Sequence, residues 1–249
     1  MEDVHIAADA AALARAAAEE FARLARAAIT ARGAFTVALS GGTTPRAVYT
    51  LLASDAILCA AIPWQHVAVF WGDERTVPPD HPESNYRMAS ETLLMKVPVA
   101  EANVHRIPAE LSDPAAAASR YEAELRSAFG LTGGDLPRFD LVLLGLGADG
   151  HTASLFPGTD ALHERQRLVV ANRVEKLHTW RITLTFPAIN SAATVLFLVS
   201  GAEKSRPLRD VLEGVRNPER LPAQCIRPTN GRLLWFVDRP AAQLLGAEN

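Results

Sequence analysis

The sequence has few cysteines, little excess charge and no long apolar run. Its two cysteines, Cys59 and Cys225, are too few for a disulfide framework or a cysteine zinc site. A net charge of −3 argues against a polybasic binder of nucleic acid or membrane surfaces. The longest apolar runs, residues 139–147 and 194–201, reach about half the length of a membrane span. Because the first residues also lack the pattern of a signal peptide, we expect a cytoplasmic protein with no nucleic-acid or membrane partner.

Short apolar segments alternate with amphipathic segments along the whole chain. Strands are predicted at residues 35–39, 67–71, 104–107, 139–144, 168–171, 181–186, 194–200 and 233–237. Helices are predicted at residues 7–32, 83–95, 114–129 and 202–212, and a further helix ends near residue 53. This alternation predicts an α/β, Rossmann-like three-layer fold in which helices flank a mostly parallel central sheet. We expect one domain over residues 1–249, with ligands bound beyond the carboxyl ends of the strands.

The first of three unusual loops follows the strand at 35–39 and contains Ser40, Gly41, Gly42 and Thr43. Adjacent glycines let backbone N–H groups approach a ligand, the hydroxyls add donors, and the following helix presents its positive N-terminus. These features favour phosphate binding, and a tight turn with a threonine cap is the purely structural alternative. The Gly-Lys-Ser/Thr of a nucleotide-binding P-loop is absent, which disfavours a nucleoside triphosphatase.

The second loop follows the strand at 67–71 and contains Asp73, Glu74 and Arg75. Charged side chains at the end of a buried strand are costly unless they are solvated or functional. A solvated loop with an internal ion pair is the alternative interpretation. Asn85, near the start of the next helix, is a further candidate for a polar contact.

The third loop, residues 145–158, carries His151 two residues after Asp149. Residues 145–150 match the G-x-G-x-x-G pattern, but a Pro-Gly pair ends the segment too early for the helix of a dinucleotide site, and we expect no cofactor. A histidine can accept a proton at neutral pH, and a nearby carboxylate can hold its tautomer. The sequence shows no serine nucleophile elbow and no metal-ligand spacing, so His151 is expected to act on water or substrate without a metal.

Lysine is rare, since Lys96, Lys176 and Lys204 are the three lysines among 25 basic residues. Where arginine fills most basic positions, a remaining lysine favours a site that needs a compact ammonium group. Ordinary surface positions are the simpler interpretation for each of the three.

Five sequence blocks together resemble the 6-phosphogluconolactonase family. They are residues 40–46, 72–78 with Ser84 and Asn85, 145–157, 181–184 and 201–204. The blocks occur in the family order and span about residues 35–210. The resemblance implies hydrolysis of 6-phospho-D-glucono-1,5-lactone to 6-phospho-D-gluconate, a step of the oxidative pentose phosphate pathway. It also implies that His151 is the catalytic base and that Asp149 orients the ring or the water.

The residues expected to bind the substrate are Ser40, Gly41, Gly42, Thr43, Asp73, Arg75, Arg181 and Lys204. The 40–43 loop would hold the phosphate, whose charge Lys204 and Arg181 would neutralise. Asp73 would bind sugar hydroxyls, and Arg75 would bind hydroxyls or stabilise the oxyanion. The sequence leaves open which arginine among Arg46, Arg75 and Arg181 meets the phosphate.

Related glucosamine-6-phosphate isomerases/deaminases are the main alternative. They carry a tyrosine where this chain has Arg75, and a supporting glutamate where it has Phe156. Both differences favour the lactonase interpretation. A non-catalytic sugar-phosphate sensor is a third hypothesis, and we expect a monomer or weak homo-oligomer.

Overall fold

The computed structural model describes residues 3–246, and within this range the chain forms nine strands and eight α-helices. The strands are β1 (Asp3–Ala7), β2 (Phe35–Leu39), β3 (Val67–Trp71), β4 (Asp73–Arg75), β5 (Leu141–Leu144), β6 (Val169–Val174), β7 (Thr179–Leu184), β8 (Thr194–Val199) and β9 (Arg232–Asp238). The helices are α1 (Ala10–Arg32), α2 (Thr43–Ser54), α3 (Ala56–Ala60), α4 (Asn85–Thr92), α5 (Pro114–Ala128), α6 (Phe186–Asn190), α7 (Ser205–Leu212) and α8 (Arg239–Ala242).

Six strands form a central sheet in the order β1-β9-β8-β5-β2-β3, and every neighbouring pair is parallel. All residues of β5 and β8 are buried. Such continuous burial is typical of parallel strands that are covered on both faces. The predicted α/β architecture, with helices flanking a mostly parallel sheet, is confirmed.

A second, antiparallel sheet has the order β4-β7-β6. Gly72 alone separates β3 from β4. Its N–H donates to the carbonyl of Leu39 in the central sheet at 2.9 Å, and its carbonyl accepts from Leu184 at the end of β7 at 2.8 Å. The chain therefore leaves the central sheet and enters the smaller sheet at this single residue. The prediction that residues 73–75 form a loop was wrong, because their pairing with β7 makes them a strand.

Helix α1 shows how local sequence signals set an element's ends. The Asp9 side chain accepts the N–H of Ala12 at 2.8 Å, and Gly33 ends the helix in the left-handed region at φ 80°. The predicted start at residue 7 was too early, because Asp3–Ala7 pairs with β9. Within residues 3–246, no helix is long and apolar enough to cross a membrane.

The strand predicted at residues 104–107 was also wrong. Val104 alone forms an isolated bridge with Val69 of β3. The other predicted strands and helices are present, with ends that differ by a few residues.

Candidate active site

Two adjoining clefts lie at the carboxyl ends of the central strands. The first has a volume of about 340 Å³ and is lined by the 40–45 and 145–148 loops, among other residues. The second, of about 480 Å³, shares Asp73, Arg75 and His151 with the first. The predicted residues that line the first cleft are Ser40, Gly41, Gly42, Thr43, Asp73, Arg75, His151 and Lys204. The other two, Asp149 and Arg181, line the second.

The structure thus brings all ten predicted site residues together. The sequence left open which of three arginines meets the phosphate. Of these, Arg75 and Arg181 line the clefts, whereas Arg46 is exposed on α2 and lines neither of them.

The 40–43 loop presents unpaired donors to the first cleft. Gly42 lies before α2 with φ 105°, and no side chain in the described part of the chain caps this helix. The Ser40 hydroxyl is buried and has no hydrogen-bond partner there either. The Tyr49 hydroxyl accepts the N–H of Ser40 at 3.0 Å and donates to its carbonyl at 2.9 Å, which fixes the loop against α2. An uncapped helix start with free donors is well suited to a phosphate group.

Asn85 connects the first loop with the second. A Cβ atom on Gly41 would lie 1.9 Å from Oδ1 of Asn85, so glycine permits a close approach. The amide nitrogen of Asn85 donates to the carbonyl of Asp73 at 2.9 Å. Asn85 itself lines the first cleft, as the sequence suggested for a polar contact.

The neighbouring acids Asp73 and Glu74 have different surroundings. Asp73 lines both clefts, and its carboxylate accepts the hydroxyl of Ser154 at 2.6 Å. Glu74 accepts the backbone N–H groups of Asn85 and Tyr86, each at 2.8 Å. Burial raises the pKa of Glu74, and these hydrogen bonds oppose the increase. Asp73 is therefore placed to meet a ligand, whereas Glu74 anchors the start of α4.

The imidazole of His151 is held on two sides. Its Nδ1 lies 2.5 Å from Oδ1 of Asp149, so the carboxylate accepts the Nδ1 proton and Nε2 remains the ring nitrogen without its proton. The ring also stacks on Phe156, with 4.1 Å between ring centroids and 27° between planes. The N–H of Gly147 donates to the carbonyl of His151 at 2.8 Å and closes the loop behind the ring.

The surroundings of His151 favour its neutral form. Burial lowers the pKa of His151 to about 4. Nearby positive charges on Lys204, Arg181 and Arg75 act in the same direction, while Asp73 opposes them. A neutral imidazole at pH 7 can accept a proton, which is the requirement for a general base.

Lys176 is a site residue that sequence analysis did not select. It lies in the turn between β6 and β7 and lines the second cleft. Its ammonium group forms an ion pair with Oδ2 of Asp149 and lies 4.8 Å from the centroid of the Phe156 ring. The rarity of lysine was the only sequence signal for this position, and it did not distinguish Lys176 from the other two.

Comparison with known proteins places these features in a family. A family model described as "Glucosamine-6-phosphate isomerases/6-phosphogluconolactonase" matches residues 8–235. A 6-phosphogluconolactonase of Synechocystis sp. is 45% identical over 218 residues, covering 88% of each chain. One of Nostoc sp. is 44% identical over 214 residues, covering 86% of each.

Solved structures agree with this assignment. The 6-phosphogluconolactonase from Trypanosoma cruzi superposes with a TM-score of 0.86 at 30% identity, covering 99% of this chain and 98% of the other. The chain therefore belongs to the glucosamine-6-phosphate isomerase/6-phosphogluconolactonase family.

Proposed function

We propose that this protein hydrolyses 6-phospho-D-glucono-1,5-lactone to 6-phospho-D-gluconate, as the names of its relatives indicate for them. One structural observation carries the proposal. The neutral imidazole of His151 is half-buried beside a cleft whose other wall is the uncapped start of α2. The site thus combines a general base that can activate water with donors that can bind a phosphate group.

In the proposed reaction, Nε2 of His151 takes a proton from water as the water oxygen bonds to C1 of the lactone. Asp149 keeps the Nδ1 proton in place and stabilises the imidazolium that forms. The tetrahedral intermediate then collapses, and the bond between C1 and the ring oxygen breaks. The imidazolium returns its proton to that oxygen, which becomes the C5 hydroxyl, and the new carboxylic acid ionises in solution. No cofactor is needed for any of these steps.

The remaining residues position the substrate. We assign the phosphate to the backbone N–H groups and hydroxyls of residues 40–43, with Lys204 as its nearby cation. Arg75 lines both clefts beside His151. We assign it to stabilise negative charge on the C1 oxygen. Asp73 is assigned to the sugar hydroxyls and Arg181 to the outer part of the substrate.

The surroundings of His151 also favour lactone hydrolysis over amino-sugar isomerisation. Position 156, where the related deaminases carry a supporting glutamate, holds a phenyl ring stacked on the imidazole. This ring desolvates the base and supplies no carboxylate. Because a phosphorylated sugar does not cross membranes freely, we also propose a cytoplasmic location.

Initial rates with three compounds test the proposal. The 6-phosphorylated lactone is generated in situ, and its rate is corrected for spontaneous ring opening. We expect fast hydrolysis of this lactone and a kcat/KM at least about 100-fold lower for unphosphorylated glucono-1,5-lactone, since several charge-assisted contacts are lost. Ammonia release from glucosamine-6-phosphate is expected to be absent. Lactone hydrolysis at the background rate, or rapid ammonia release, would overturn the assignment.

A further inference from the structure

The side chains of Lys176, Phe156, His151 and Asp149 form a closed group. Asp149 contacts Nδ1 of His151 through Oδ1 at 2.5 Å and pairs with Lys176 through Oδ2. The Phe156 ring contacts both His151 and Lys176: the imidazole stacks on it, and the Lys176 ammonium lies 4.8 Å from its centroid. Each side chain thus contacts two others of the group.

This arrangement reduces a conflict between orienting His151 and keeping it able to accept a proton. A carboxylate beside a histidine holds the correct tautomer, but its charge also favours the imidazolium, which is not a base. A cation on the other oxygen of the carboxylate offsets this charge and leaves the hydrogen bond in place. The two oxygens of Asp149 are divided between His151 and Lys176 in this way.

We propose that Lys176 is a positioning residue that fixes Asp149 and offsets part of its charge, so that the carboxylate orients His151 while adding less to the proton affinity of the ring. The inference rests on the proposed function for its kinetic consequence. Lys176 reaches the group from the turn between β6 and β7, and β7 also carries Arg181. The same hairpin thus supplies a positioning residue and a wall of the second cleft.

Several other charged groups surround His151. Those that surround it from the packed elements are Asp149 on its own loop, Asp73 and Arg75 on β4, Arg181 on β7 and Lys204 before α7. None of these residues is itself substituted when Lys176 is replaced. A change in the titration of His151 on that replacement therefore reports the loss of the Lys176 charge and of its hold on Asp149.

The test compares Lys176→Met, Lys176→Arg and Lys96→Met in the full chain. Lys96 is exposed and lines neither cleft, so its replacement is a matched loss of one lysine. The titration of His151 is followed by NMR of labelled histidine in the free protein, with His151→Gln used to assign its resonance. We expect Lys176→Met to raise the pKa of His151 by about half to one unit. Lys176→Arg and Lys96→Met should leave it near the wild-type value.

Kinetics provide the second readout. At pH 7 the ring stays neutral in both proteins, so the kinetic effect reports the position of Asp149. With the 6-phosphorylated lactone, Lys176→Met should lower kcat about three- to tenfold, because the imidazole is held less well, with KM changed less than about twofold. Lys176→Arg should restore most of kcat. An unchanged His151 pKa in Lys176→Met would overturn the inference. So would a rise in KM alone, which would make Lys176 a substrate ligand. Because the NMR titration needs no turnover, it remains decisive even if the protein proves not to be a lactonase.

Discussion

A Cβ atom at Gly147 would lie 2.0 Å from Nδ1 of His151, because the backbone of this glycine runs directly against the imidazole ring. Glycine is thus required here by the position of the ring, and its φ is not in the left-handed region. We expect Gly147→Ala to displace the ring from Asp149 and to lower kcat at least about tenfold, because a misplaced base loses most of its contribution. Steady-state kinetics with the phosphorylated lactone measure this effect.

Gly134→Ala is the matched control for this substitution. Gly134 lies in an exposed turn, and a Cβ atom there would meet nothing within 4 Å. Its kcat should equal that of the wild type. A Gly147→Ala protein with normal kcat would show that the position of the imidazole does not limit catalysis.

The pH dependence of kcat follows from the state of His151. Burial lowers the pKa of His151 to about 4, and the neutral ring is the active form in the proposed mechanism. Activity should therefore be lost as pH falls, with the midpoint of the acid limb well below the ordinary histidine value of about 6.5. Measurements use saturating lactone and subtract spontaneous opening at each pH. A midpoint at or above about 6.5 would contradict the neutral resting state.

Lys204 and Arg46 provide a paired test of the proposed phosphate site. Lys204 lines the first cleft with the 40–43 loop, whereas Arg46 lies one turn into α2 with its side chain exposed. We expect Lys204→Met to raise KM about 10- to 100-fold, because a charge-assisted contact to the phosphate is lost. Arg46→Ala should leave KM within about twofold of the wild type. Equal effects of the two changes on KM would argue for a diffuse electrostatic contribution instead of a defined phosphate site.

Glu74 is expected to matter for stability. Its buried carboxylate accepts the N–H groups of Arg75, Asn85 and Tyr86. Glu74→Ala leaves these donors without their acceptor and should lower the free energy of unfolding by about 2–4 kcal/mol. The comparison is Glu91→Ala, which removes a surface ion pair with Arg87 and should cost less than about 0.5 kcal/mol. Urea unfolding of both variants measures the difference. If Glu74→Ala lowered the free energy of unfolding no more than Glu91→Ala does, Glu74 would not anchor the start of α4.

The sequence predicts the central sheet well because its strands are short continuous apolar runs. Residues 35–39 and 67–71 are both strands with the expected ends. The small antiparallel sheet was missed at β4, where three charged residues resemble a loop. Their strand conformation depends on pairing with residues 181–183, more than 100 positions later, which no local pattern records.

In the candidate site, too, some residues can be selected from the local sequence, whereas others are recognised only from contacts made in the folded chain. The glycines around His151 and the hydroxyls at 40–43 are local features, so the sequence alone selects them. Lys176 meets Asp149 only because the β6–β7 turn brings it there. Ser154 contacts Asp73 across a gap of 81 positions in sequence. Contacts of this kind require the fold, since the residue types alone are ordinary.

The most direct test of the account is the initial rate of His151→Gln with 6-phosphogluconolactone, beside the wild type and corrected for spontaneous opening. Glutamine keeps a polar side chain of similar size but cannot act as a base. We expect the rate to fall at least about 100-fold while circular dichroism and the unfolding transition stay unchanged. A folded His151→Gln protein that retains a rate within about threefold of the wild type would contradict the assignment of His151 as the base.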